Sequence, residues 1–103
     1  MNSLIIGTNG YVAAIHPATG EMLWQTSLDT GGFLSSTSYQ DVSVLIRENV
    51  IYAGVAGHLY GLHAETGKIL WHNSLSGLGH NDISLAMEGV SVQFVQKVQR
   101  QNS

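Results

Sequence analysis

The sequence contains no cysteine. That excludes disulfide staples, thiolate metal ligands and a cysteine nucleophile together, while leaving the redox compartment open. Positive charge is scarce as well, with 4 Lys and Arg against 7 Asp and Glu and a net charge of -3. No basic stripe is available to neutralise phosphates, which argues against a nucleic-acid partner. Charged residues of both signs make up only 11%, under half of the usual quarter or so. A surface this poor in charge implies that a partner covers part of it. No apolar run approaches the roughly 20 residues of a membrane span. The N-terminal stretch Met1 to Gly7 has neither the positive region nor the apolar length of a signal peptide. The expected location is cytoplasmic if the chain is complete, and periplasmic or secreted if it was cut from a longer parent. Helical periodicity is also missing: no segment places apolar residues at i, i+3, i+4 and i+7 between caps. At 103 residues the chain has room for one small domain.

What the sequence does have is an internal repeat. Ala14-Ile15-His16-Pro17-Ala18-Thr19-Gly20-Glu21-Met22-Leu23-Trp24 returns as Gly61-Leu62-His63-Ala64-Glu65-Thr66-Gly67-Lys68-Ile69-Leu70-Trp71. The offset of 47 residues also superposes Gly7 on Gly54, Gly10 on Gly57 and Ser27-Leu28 on Ser74-Leu75. Self-similarity at such a period marks solenoids and propeller blades. The two repeats span about 3–48 and 49–95, followed by a polar tail over 96–103 expected to be partly disordered.

Each repeat reads as short strands punctuated by turns. Ser3 to Gly7 and Tyr11 to His16 flank Asn9-Gly10, a strong hairpin signal, and Pro17 to Gly20 turns the chain into Glu21 to Leu28. Val42 to Ile46, Val50 to Ala53, His58 to His63 and Lys68 to Leu75 repeat the scheme. Ile83 to Glu88 and Val90 to Val95 complete nine strands. The first crossover, residues 29–41, and the second, residues 76–82, differ in length by 6, as loops do. The expected architecture is all-β, a propeller-type protein of about two four-stranded antiparallel blades per chain.

The pattern Ala-x-x-x-x-Thr-Gly-x-x-x-Trp over Ala14 to Trp24, and its second copy over Gly61 to Trp71, resembles the tryptophan-docking motif of the pyrroloquinoline-quinone-type β-propellers. The resemblance covers nearly the whole chain. It implies that the motif joins the third strand of a blade to the outermost one, and that the indole packs on the small-residue turn of the neighbouring blade. The structural docking set is then Ala14, Thr19, Gly20 and Trp24, with Gly61, Thr66, Gly67 and Trp71. The physical chemistry agrees, because an indole buries a large area only against a surface free of side chains, and Gly supplies one. The chain departs from the family where Asp is usual and His16 and His63 stand instead. A neutral imidazole can accept one hydrogen bond from the turn, and protonation removes that acceptor.

No catalytic, cofactor or metal site is expected. Relatives of this fold include quinone-dependent dehydrogenases that need calcium ligands, a catalytic Asp and often a vicinal disulfide, whereas here the acidic residues fall mostly in turns and cysteine is absent. Among the histidines, His58 and His63 are five apart and on a strand would face opposite ways. Gly77-Leu78-Gly79 has neither the strand-to-helix setting nor the Lys of a phosphate loop. Two loops offer ligand-binding chemistry, one with Phe33 and Tyr39, the other with His80, Asn81 and Asp82; aromatic, amide and carboxylate groups together suit a sugar. The sequence therefore points to a non-catalytic assembly or binding module. A lectin-like carbohydrate binder, or less favourably a fragment of a quinone-dependent dehydrogenase, is the alternative. The expected partner is the chain itself, as a trimer or tetramer, or another propeller-repeat protein, with no nucleic acid and no membrane involved.

Overall fold

The computed structural model describes residues 3–28 and 40–89, and every regular element within them is a β-strand. Seven strands follow in order: β1 (Leu4–Thr8), β2 (Tyr11–Ile15), β3 (Met22–Ser27), β4 (Ser43–Arg47), β5 (Val50–Val55), β6 (His58–His63) and β7 (Ile69–Asn73). They form two antiparallel meanders, β1-β2-β3 and β4-β5-β6-β7. The tight turns explain the hairpins. Asn9 and Gly10 sit at φ 55° and 80°, and Ala56 and Gly57 at 46° and 84°. Two successive positive values are what a two-residue turn needs to match the twist of its flanking strands.

The all-β, two-blade architecture expected from the repeats is present as a three-stranded and a four-stranded antiparallel sheet, and among the described residues β1 pairs only with β2. β4 belongs to the first sequence repeat but hydrogen-bonds with β5 of the second, in the register Ser43↔Gly54 to Arg47↔Val50. The strand expected over Ile83 to Glu88 forms only an isolated bridge at Met87. Its burial still alternates from Ile83 to Met87 as in an extended segment, but a strand needs a ladder partner, and none accompanies it among the described residues. The expected strand Val90 to Val95, the tail and most of the first crossover lie outside the described residues.

The core lies between the sheets. Val12 and Leu28 of the first pack with Val42, Ile51, Ala53, Val55, Ala56, Tyr60 and Leu62 of the second, with Trp24 and Ala64 against its margin. The Tyr60 hydroxyl donates to the Leu28 carbonyl at 2.6 Å, so the one polar atom of this fully buried ring is satisfied by the opposite sheet. Val42 rests on Gly7, where a Cβ would come within 2.9 Å of it. The glycine thus lets the chain cross from one sheet to the next at close approach.

Candidate functional site at the inter-sheet turns

The repeated eleven residues fold into two turns with the same hydrogen bonds. In the first, His16 N donates to Glu21 O and Gly20 N to His16 O, both at 2.8 Å; in the second, His63 N donates to Lys68 O and Gly67 N to His63 O, both at 2.8 Å. The Thr side chains accept at the same place in each turn, Thr19 Oγ1 from Glu21 N and Thr66 Oγ1 from Lys68 N, at 3.2 Å. His16 Nδ1 accepts from Ala18 N and His63 Nδ1 from Glu65 N, each at 3.1 Å. Imidazole therefore fills the acceptor position that the resemblance gives to Asp.

The ends of each motif meet across a strand pair. Ala14 lies opposite Trp24, and Gly61 opposite Trp71, with a register shift just beyond each pair, between Ala14 and Ile15 and between Gly61 and Leu62. In the second copy the Trp71 ring lies over Gly61, its partner across the strand pair.

From here the two copies differ. Trp24 of β3 is half-buried and reaches the second sheet, where its Nε1 donates to Ala64 O at 3.3 Å. Two residues on, Thr26 Oγ1 donates to Gly67 O at 2.6 Å. Gly67 is buried at φ 79°, and a Cβ there would fall into the Trp24 ring. Glycine is required twice over, by the left-handed backbone and by the indole against it. Gly20 has the same φ of 79°, yet nothing lies within 4 Å of where its Cβ would be. Trp71 is 41% exposed; its ring tilts against Tyr52, with centroids 6.2 Å apart, and covers Gly61. Beside the seated Trp24 an open groove of about 710 Å³ runs between the sheets, lined by Ile5, Leu23, Trp24, Glu48, Asn49 and Glu65 among others.

The proposed ligand loops are partly described. Phe33 and Tyr39 lie outside the described residues. His80, Asn81 and Asp82 are exposed in one loop, whose backbone at Gly79 and His80 packs on Gly57. Sequence reasoning missed a histidine pair. His58 Nδ1 and His72 Nε2 approach to 2.9 Å, and the His72 ring stacks on Tyr60 with centroids 4.6 Å apart. Tyr60 faces His72 directly across β6 and β7, so His58, two residues earlier on β6, reaches His72 diagonally. Burial, then the neighbouring charges of His72 and His80, hold the His58 pKa below its ordinary value. Among the described residues, no group of three or more His, Cys, Asp or Glu is placed to hold a metal ion.

Two antiparallel sheets, each with the same turn after its penultimate strand, packed so that the second turn receives Trp24 of the first sheet, are the arrangement of a propeller-repeat protein. The chain belongs to the PQQ-type β-propeller repeat family: its residues 8–101 match the family described as outer membrane protein assembly factor BamB. No curated protein matches the chain closely enough to add to this.

Proposed function

We propose that the chain is a non-catalytic propeller-repeat module, an assembly or binding scaffold, that completes its ring by docking on further copies of itself. One observation carries the reading: the seated Trp24 and its receiving turn at Ala64 to Gly67 are each duplicated, and the duplicates have no counterpart among the described residues. Trp71 is 41% exposed, and the turn around Gly20 is open. Asn73 stands where Thr26 stands; its Oδ1 accepts from Leu75 N at 2.8 Å, which leaves its amide nitrogen to donate to a Gly20 carbonyl as Thr26 donates to Gly67. A tryptophan face at one side and its receiving turn at the other make a head-to-tail contact, which repeated rotation closes into a ring.

With two sheets per chain, a dimer, trimer or tetramer falls within the about four to eight blades of propellers, and trimer and tetramer are favoured. The family's description as an assembly factor supports a scaffold role. The repeated residues support it too, since they are turn-formers and packing residues rather than chemical groups. Another propeller-repeat protein could supply the same two surfaces.

Native mass spectrometry and light scattering on the 103-residue chain test the proposal. A multiple of 11.1 kDa that falls towards the monomer in Trp71→Ala is expected. A folded, non-associating species of 11.1 kDa overturns it.

A further inference from the structure

Among the described residues, the inner edge of β1 and the segment Ile83 to Met87 correspond to the two halves of the pairing that β4 and β5 make, and are not paired with each other. β5 is covered by β4, and its Ile51 and Ala53 are 0% exposed. Ile51 and Ala53 also face Val12 and Leu28 of the first sheet, whereas the residues 47 earlier, Leu4 and Ile6 of β1, are 53% and 37% exposed, and among the described residues β1 pairs on one side only, with β2. An apolar strand edge left open in this way is a template for another strand.

The complementary piece leaves the second sheet as β4 leaves the first. Val42 lies over Gly7 and leads into β4; Ile83 lies over Gly54, where a Cβ would come within 2.7 Å of it, and leads into Ser84-Leu85-Ala86-Met87. Arg47, at the end of β4, donates from Nη1 to the Glu88 carbonyl at 2.7 Å. That bond fixes the far end of the segment alongside β4, so Ile83 to Met87 is held extended where an inner strand of a following sheet would begin. Within the chain, Trp24 and β4 reach the same neighbouring sheet. By the same relation Trp71 and Ile83 to Met87 would face one and the same following sheet, and the edge of β1 left unpaired among the described residues adjoins the contact of Val42 with Gly7.

We propose that Ile83 to Met87 of one copy adds to β1 of a second copy as its missing inner strand, antiparallel, in the register Ser84↔Gly7, Leu85↔Ile6, Ala86↔Ile5 and Met87↔Leu4. The register is that of β4 on β5 carried over through the two glycine contacts. The proposal rests on self-assembly and adds the strand joint to it. Such pairing places Leu85 over Ile6 as Val44 lies opposite Ala53, and gives β1 a second hydrogen-bonding neighbour beside β2.

The absence of cysteine makes a direct test available. The double variant Leu85→Cys with Ile6→Cys, mildly oxidised, should give covalent species at multiples of 11.1 kDa that reductant returns to monomer. Leu85→Cys with Ile5→Cys, shifted by one residue, should cross-link several-fold less, since neighbouring side chains on a strand point to opposite faces. If the native mass is that of an oligomer but both pairs cross-link equally or not at all, the strand joint is overturned while self-assembly stands. A cross-link confined to the monomer overturns the joint between copies. A chain that stays monomeric overturns both proposals.

Discussion

The indole nitrogen of Trp24 donates to the carbonyl oxygen of Ala64, 40 residues away in sequence and on the other sheet. This contact ties the outer strand of the first sheet to the turn of the second, while the identical tryptophan 47 residues later keeps 41% of its surface exposed. Two copies of one motif thus have different energetic roles within one chain.

Trp24→Ala should destabilise the fold by about 3 kcal/mol, the lower end for loss of a large aromatic ring, because the site is half-buried. Trp71→Ala should cost under about 1 kcal/mol in any monomeric state and act on association instead. Denaturant midpoints at dilutions spanning the association range separate the two, and equal losses at all dilutions would contradict the asymmetry.

Alanine at the two turn glycines should behave differently. Gly20→Ala meets open space and bears only the left-handed backbone cost of roughly 1 to 2 kcal/mol. Gly67→Ala adds a clash with the Trp24 ring, costing at least about 1 kcal/mol more. Thermal unfolding of both variants, with Trp24 fluorescence reporting the second site, measures the difference.

His63→Ala should remove the acceptor of the Glu65 N–H and cost about 1 kcal/mol. His63→Asp keeps an acceptor two residues before the same N–H and should stay within about 0.5 kcal/mol of the parent chain. If both substitutions cost the same, the imidazole contributes packing and not a hydrogen bond.

Acid should weaken the fold through His58. Its pKa in the folded chain is lowered, by burial first and then by His72 and His80, from an ordinary value of 6.5. The unfolded chain therefore binds the proton more readily, so this contribution is fully present above about pH 6.5 and is lost as pH falls from there towards the lowered value. Protonating both rings would also leave no acceptor in the 2.9 Å contact between His58 and His72. Urea unfolding at pH 7.5 and 5.5 should show a smaller acid loss in His58→Gln than in the parent, and parallel losses would rule His58 out as the source.

Local features were legible in the sequence because they are set by neighbours along the chain. Asn9-Gly10 specifies its turn through backbone conformation, and the spacing from Ala14 through Thr19 and Gly20 to Trp24 encodes a turn whose ends meet across two strands. The offset of 47 residues marked two equivalent units. Tertiary structure decided everything that depends on what stands beside each unit. Trp24 is seated and Trp71 is not, because only the first has a following turn within the described residues. His58 and His72 meet because strand register, adjusted by the irregularity at Gly61 and Leu62, places Tyr60 opposite His72; spacing along a single strand carries no such information. Ile83 to Met87 has the alternation of a strand without being one, since a strand is completed by hydrogen bonds to a neighbour and not by its own residues.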